Sequence, residues 1–207
     1  MVQTPDPTPQ MPTAPVIALC VGHSRLRGKS PEGGAWTCDG QTSEWGFNSR
    51  LAKRLAEDLR RLHGIEAVVY DRYEGNDYGQ AMLRLAEKIP DSVRLAVELH
   101  FNASENPQAT GHEWLYWHAS PQGYAAARAF GDMMLARFPG LVSRGPKGVK
   151  HGGRGELFLR LTPCPAVIAE PFFGSCAKDW RLVQEQYEAF AAAMLAGVVY
   201  AYRCVAR

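Results

Sequence analysis

Short apolar segments alternate with segments of helical periodicity along most of this chain. Six short segments predict strands, over residues 15–21, 65–70, 93–99, 113–118, 157–159 and 165–169. Apolar residues at helical spacing predict helices between and after them, over residues 43–63, 78–89, 121–138 and 177–203. This alternation predicts an α/β fold, with a mostly parallel twisted sheet of about six strands flanked by helices. We expect the functional site at the carboxyl ends of those strands.

Two segments are predicted to lie outside this regular pattern. Residues 139–155 are rich in Gly and Pro, which predicts a long loop near the site or a mobile connection. Residues 1–14 are rich in Pro and Thr, with neither a basic nor an apolar stretch, which predicts a disordered tail and no secretory signal. The rest of the chain, residues 15–207, is predicted to form one catalytic domain.

Composition excludes several classes of protein. Of the 207 residues, 46% are apolar, which is enough to build a core. The 23 Lys and Arg residues nearly balance the 21 Asp and Glu residues, and no long basic run occurs, so a nucleic-acid partner is not expected. No apolar run was found that approaches the roughly 20 residues of a membrane span, so we expect no membrane insertion. The five Cys form no CxxC pair, which excludes a cysteine-rich zinc module, and we expect them to be reduced.

Three polar side chains follow predicted core strands. His23, His100 and Glu170 each stand where such a strand ends. Because the carboxyl ends of parallel strands meet at one edge of a sheet, these residues are expected to converge although they lie far apart in sequence.

Glu44 is the fourth candidate. It stands at the start of the helix that Ser43 is predicted to cap, on the helical face that carries Phe47 and Leu51. A carboxylate directed inward needs a cation or hydrogen-bond donors. Two imidazoles and one carboxylate form a common catalytic zinc site, which leaves a position for water. Glu170 would then be a separate carboxylate placed to take a proton from that water.

Five short motifs occur in a fixed order along the chain. They are Val21-Gly-His23, Glu44 with Asn48, Glu98-Leu-His-Phe-Asn-Ala103, Arg144-Gly-Pro-Lys147 and Pro165-Ala-Val-Ile-Ala-Glu-Pro-Phe-Phe173. In this set the chain resembles the zinc-dependent N-acetylmuramoyl-L-alanine amidases of the amidase-3 type, which include phage endolysins. The chain departs from the family pattern at Glu98, where a Ser is usual, and at Pro171, where a small residue is usual.

The resemblance implies a zinc hydrolase that cleaves the amide between N-acetylmuramic acid and L-alanine in peptidoglycan. It implies that His23, Glu44 and His100 are the zinc ligands and that Glu170 is the catalytic acid and base. Asn102 is a candidate for binding substrate at the developing oxyanion. We expect a monomer whose partner is peptidoglycan.

Other functions stay open at this stage. One is a zinc amidohydrolase or peptidase of the same fold that acts on small soluble amides. Another is a catalytically silent homologue that binds the cell wall. A cysteine peptidase with Cys38 or Cys164 as nucleophile is a further alternative. Without an export signal, the protein is expected to be made in the cytoplasm and either to act there or to reach the wall after release, as in phage lysis.

Overall fold

The structure, a computed structural model, describes residue 14 and residues 16–27 and 30–206. The predicted tail over residues 1–14 therefore lies outside the described residues, apart from Ala14. The strands are β1 (Ile17–Val21), β2 (Leu26–Arg27), β3 (Ser30–Pro31), β4 (Ala67–Tyr70), β5 (Leu95–Leu99), β6 (His112–Trp117), β7 (Ser143–Val149) and β8 (Ala166–Glu170).

Six of these strands form one sheet, in the order β4-β1-β5-β8-β6-β7, and β2 pairs with β3 in a separate two-stranded sheet. Strands β4, β1, β5 and β8 run parallel to one another, whereas β6 pairs antiparallel with β8 and parallel with β7. The predicted fold class is confirmed. Because of this topology, the carboxyl ends of β1, β5 and β8 meet the amino ends of β6 and β7 at the same edge.

Six helices flank the sheet in the part of the chain that the structure describes. They are α1 (Glu44–His63), α2 (Tyr78–Lys88), α3 (Pro121–Arg137), α4 (Glu156–Leu161), α5 (Ala177–Glu185) and α6 (Tyr187–Val205). Helix α1 begins where the sequence predicts, because the Ser43 hydroxyl accepts a hydrogen bond from the Gly46 amide. It ends at Gly64, whose φ of 63° gives the left-handed cap that favours glycine.

Two predictions between residues 139 and 161 are wrong. The predicted loop over residues 139–155 contains strand β7, which lies at the edge of the sheet, where Gly and Pro are tolerated. The predicted strand over residues 157–159 is part of helix α4. A short apolar run has the same local signature in a buried strand and in a buried helix. Here the i,i+4 pair of Glu156 and Arg160, 2.7 Å apart, belongs to the helical form.

The single helix predicted over residues 177–203 is two helices in the structure, because the helical conformation is interrupted at Gln186. Helix α6 is the one described helix that is long and apolar enough, by length and composition alone, to cross a membrane. This helix differs from the expectation that no apolar run approaches the length of a membrane span. Over its most apolar stretch, 56% of the helix is buried inside the protein. Eleven of its residues are buried, and Phe190 and Met194 belong to the core.

The sheet separates two apolar layers. The larger core lies on the side of α1, α3 and α6, where the Trp114 ring stacks on Phe130 at a centroid distance of 4.9 Å. The smaller core lies on the side of α2 and α4 and includes Leu85, Phe158 and Ile168. Glu98 and Glu170 point to this second side, since they alternate with the residues that face the larger core. Glu98 and Glu170 therefore reach the site described next from the face of the smaller core, whereas Glu44 begins α1, which packs on the other face.

Candidate metal and catalytic site

His23 begins the site at the end of β1. Its φ of 56° is the only positive φ of a non-glycine residue in the described part of the chain. Such a backbone conformation is costly for a side chain with a Cβ and is typical of functional positions. Gly22 before it allows close packing, because a Cβ there would lie 2.2 Å from Cε1 of His100. The two imidazole rings meet edge to face, with centroids 5.1 Å apart.

His100 follows β5 directly, as the sequence predicts. Its amide donates to the carbonyl of Ala169 on β8, at 3.0 Å, and Gly22 donates to Leu99 at 2.9 Å. These bonds extend the parallel pairing beyond the ends of the three strands. The backbone that carries His23 and His100 is therefore fixed by the sheet.

Glu44 lies between the two imidazoles. Its Oε1 is 2.8 Å from Nδ1 of His100, and its Oε2 is 3.3 Å from Nε2 of His23. The same oxygens accept hydrogen bonds from the amides of Phe101 and Ala35, at 3.2 and 3.1 Å. The side chain is buried, so both oxygens are held by donors rather than by bulk water. The inward orientation that the helical pattern predicts is observed.

These three residues suit a metal ion. One ligand atom from each of them, His23, Glu44 and His100, lies within 4.8 Å of the others. Burial alone would lower the pKa of His100, but the carboxylates of Glu98 and Glu44 outweigh it and raise that pKa well above its usual value. The arrangement thus favours a positive charge beside buried carboxylates. Two imidazoles and one carboxylate are a donor set that zinc prefers.

Glu98 adds a second buried carboxylate to the site. Its side chain is 3% exposed, and its Oε2 lies 3.3 Å from Nε2 of His100, the nitrogen that faces away from Glu44. The Tyr73 hydroxyl donates to its other oxygen at 3.3 Å. The sequence marks Glu98 only as a departure from the family pattern. Its contact with a candidate ligand appears only in the structure.

Glu170 ends strand β8 and is 3% exposed. Burial raises its pKa from 4.5 to about 7, although His100 and Arg154 oppose the shift. Its Oε2 is buried and has no hydrogen-bond partner among the described residues, whereas Oε1 pairs with the guanidinium of Arg154. A carboxylate with a pKa near neutrality and one free oxygen can both accept and return a proton.

One cleft of about 760 Å³ collects these groups. His23, Glu44, His100 and Glu170 all line it, together with Glu98 and Arg154 among others. We call this cavity the catalytic cleft. These first four residues are far apart in sequence, one at the start of α1 and three at strand ends, and they line the same cavity. Arg154 was missed by sequence reasoning, because it lies in a Gly-rich connection with no local signal.

Asn102 lies beside this cleft rather than in its lining. It lines a neighbouring groove, and its Nδ2 donates to Oε1 of Glu113 at 2.8 Å. Its Oδ1 accepts from the amide of Ala103 at 3.0 Å. One amide proton of Asn102 is therefore already engaged, and its role toward substrate stays a prediction.

His112 and the five cysteines do not line the catalytic cleft. His112 is fully buried, accepts a hydrogen bond from the Trp114 indole at 2.9 Å, and burial lowers its pKa to about 4. All five cysteines are free thiols. Burial raises the pKa of Cys164 to about 12, which is the opposite of what a nucleophilic thiol requires. The structure does not favour the cysteine-peptidase alternative.

Comparison with known proteins gives a consistent set of similarities. The profile of the Amidase_3 family, described as N-acetylmuramoyl-L-alanine amidase, matches residues 17–200. No curated protein matches the chain.

Two amidases and one endolysin catalytic domain are among the solved structures with the same fold. An N-acetylmuramoyl-L-alanine amidase from Clostridium difficile 630 is 22% identical, with a TM-score of 0.71 over 90% of this chain and 96% of that one. The catalytic domain of an endolysin targeting Clostridia Difficile is 26% identical, with a TM-score of 0.69 over 90% of this chain and 97% of that one. The CwlD amidase from Clostridioides difficile, solved in complex with the GerS lipoprotein, is 22% identical, with a TM-score of 0.73 over 91% and 98% of the two chains.

Proposed function

This chain belongs to the Amidase_3 family of N-acetylmuramoyl-L-alanine amidases and is a peptidoglycan amidase, and we propose that it works with a zinc ion held by His23, Glu44 and His100. The bond cleaved is the amide between N-acetylmuramic acid and L-alanine. The observation that supports this proposal most directly is the grouping of three ligand atoms within 4.8 Å, in a cleft that Glu170 also lines. A bound zinc ion would supply Lewis-acid polarisation of the amide carbonyl and of water.

In this proposal Glu170 moves the proton. Its carboxylate accepts a proton from the attacking water through the oxygen that no described residue contacts by a hydrogen bond. It then donates that proton to the leaving amine of L-alanine, so the C–N bond breaks with a neutral leaving group. A pKa of about 7, raised by burial, suits both steps near neutral pH because neither protonation state is strongly disfavoured.

Glu44 has a structural as well as a binding role. It is held by the amides of Ala35 and Phe101, so its carboxylate does not need to reorganise when a cation is bound. Gly34 is needed for this packing, because a Cβ there would lie 2.7 Å from Oε2 of Glu44. We propose that this preorganised carboxylate orders the two imidazoles for metal binding.

The test is Glu170→Gln, which keeps the shape of the side chain and removes its proton transfer. We expect at least about a hundred-fold loss of turnover on purified peptidoglycan, with zinc content unchanged by elemental analysis. Glu57→Gln, on the exposed face of α1, is the matched control and should keep full turnover. The mass of the released products should show a free amino group on L-alanine. Substantial activity in Glu170→Gln would refute its assigned role.

We further propose that the protein acts as a monomer, without membrane insertion, on the cell wall. The large apolar side chains that are exposed in the described residues occur on several different elements rather than on one helix or strand. The most apolar helix, α6, packs into the core, as the burial of Phe190 and Met194 indicates. Because peptidoglycan lies outside the cytoplasmic membrane, the enzyme would have to leave the cytoplasm to act on it, and release as in phage lysis is one such route. A single species at the mass of one chain in light scattering, with or without lipid vesicles, would support both points.

A further inference from the structure

A second cavity opens beside the catalytic cleft. It is a groove of about 660 Å³, and it shares Ala103, Gly153 and Arg154 with the catalytic cleft. Basic side chains outnumber acidic ones in its lining by four to one, and we call it the basic groove. Its four cationic residues are Arg144, Lys147, Lys150 and Arg154.

The positive charge of this groove is only partly neutralised within the protein. Glu113 is the one carboxylate in its lining, and it already accepts hydrogen bonds from Arg144 at 2.9 Å and from Asn102. Lys147 and Lys150 are exposed and have no ion pair with any described residue. A chain with a net charge of only +2 therefore gathers an excess of positive charge on one surface.

An irregularity in strand β7 produces this arrangement. The pairing of β6 with β7 shifts register between His112 and Trp114, so β7 holds one extra residue there. Gly145, with a φ of 72°, lies in this bulge. After the bulge, Lys147 pairs with Leu115, which lines the groove. The extra residue places Lys147 on the same face as Arg144, although three positions separate them.

The cationic residues of the groove are spaced widely enough to contact a short extended peptide. Arg144 and Lys150 are six positions apart along β7 and its continuation, which is at most about 20 Å at the rise of a strand, because the bulge shortens the segment. The groove leads from the site edge of the sheet, at Arg144, along β7 toward Lys150, and Arg154 stands where it meets the catalytic cleft. A chain bound there would extend directly from the residues that surround Glu170.

We propose that the basic groove binds the peptide part of the substrate through its free carboxylates. The inference rests on the proposed function, because the scissile amide joins a sugar to a peptide and only the peptide side carries carboxylates. Exposed lysines can bind such groups without the desolvation cost of a buried pair. The groove therefore selects substrates whose peptide carboxylates are free over those whose carboxylates are amidated.

The kinetic test uses the charge reversals Lys147→Glu and Lys150→Glu, singly and together. Two substrates are compared, a muramoyl peptide with free carboxylates and the same molecule with its carboxylates amidated. For the free form we expect the double variant to raise KM about ten-fold or more, with kcat within about two-fold of wild type. The KM for the amidated form should barely change. Lys178→Glu, an exposed lysine that lines neither cavity, is the matched control and should leave both KM values unchanged.

A binding measurement separates this inference from the proposed function. The free peptide that begins with L-alanine is titrated calorimetrically into Glu170→Gln, with and without the two lysine reversals. Weaker binding only of the peptide with free carboxylates supports the basic groove as its site. Equal effects on free and amidated forms, or no effect, would overturn the inference.

Two further outcomes have distinct meanings. If the reversals reduce binding to whole cell walls but leave the muramoyl-peptide KM unchanged, the groove binds an anionic wall polymer and the inference is wrong. If the wild-type protein cleaves neither muramoyl peptide while still binding the free peptide, the proposed function fails and the groove assignment stands.

Discussion

The catalytic cleft and the basic groove lie side by side and share Arg154, yet they have opposite charge. The catalytic cleft is lined by four carboxylates, which belong to Glu32, Glu44, Glu98 and Glu170, and by only two guanidinium groups, those of Arg25 and Arg154. The basic groove is lined by four cationic side chains and one carboxylate. The chain is near neutral as a whole, yet its charges are unevenly distributed. The catalytic cleft has an excess of carboxylates and suits a metal cation, whereas the basic groove has an excess of cations and suits an anionic ligand.

Burial separates the two regions further. Glu44, Glu98 and Glu170 are each at most 3% exposed, so their charges must be met by nearby cations or donors. Lys147 and Lys150 are exposed and keep their hydration. Changes in the catalytic cleft should therefore have larger effects than changes in the basic groove, and the following predictions test that order.

Loss of a metal ligand should have the largest effect. His100→Ala removes one of the three proposed ligands and leaves Glu44 and Glu98 without the group that faces both of them. We expect loss of stoichiometric zinc and of turnover by at least about a thousand-fold. Elemental analysis and a turbidity assay on cell walls are the measurements. His63→Ala, at the exposed end of α1, is the control. Full zinc content in His100→Ala would exclude it as a ligand.

Replacement of Glu98 should have an intermediate effect. Its carboxylate lies 3.3 Å from Nε2 of His100 and orients the ring, so that Nδ1 faces Glu44. We expect Glu98→Gln to weaken zinc affinity about 10- to 100-fold, as found for residues that orient metal-binding histidines. Competition with a chelator measures this affinity. The control is Glu113→Gln, which removes the carboxylate of the basic groove. Equal losses in the two variants would contradict the separation of the two regions.

The smallest effect concerns stability and pH in the metal-free protein. The folded state raises the pKa of Glu170 from 4.5 to about 7, so it favours the protonated acid. Between these two pH values the folded protein binds more protons than the unfolded chain, and ionisation of Glu170 lowers stability as the pH rises. The Glu170→Gln variant avoids this cost. We expect its free energy of unfolding, relative to that of wild type, to increase by about 1–3 kcal/mol as the pH is raised from 4.5 to 8.

Urea unfolding at these two pH values checks the gain, with the chelator present throughout. The control variant Glu57→Gln accounts for the general effect of removing a carboxylate. A stability difference that does not change with pH would show that burial of Glu170 has little influence on its ionisation.

Much of the fold could be predicted because its signals are local. Helix α1 is bounded by a capping serine and a left-handed glycine. Strand β1 is an apolar run of five residues, and β5 and β8 are runs of five that each contain one glutamate among apolar residues. Two errors concern β7 and α4, where the local signals are weak or ambiguous, and a third is the interruption at Gln186 between α5 and α6. An exposed edge strand rich in Gly and Pro does not show an apolar pattern, and three apolar residues suit either structure.

The sequence by itself determined which residues end the core strands, and hence that His23, His100 and Glu170 would meet at one edge of the sheet. Strand direction alone requires this, because parallel strands bring their carboxyl ends together. Only the tertiary structure decided that Glu98 contacts the far nitrogen of His100, that Arg154 pairs with Glu170, and that β7 gathers a row of cations beside the catalytic cleft. These contacts join positions that no short-range pattern relates. They depend on the strand order, on the bulge in β7, and on the glycine-rich connection after β7, which brings Arg154 back to Glu170.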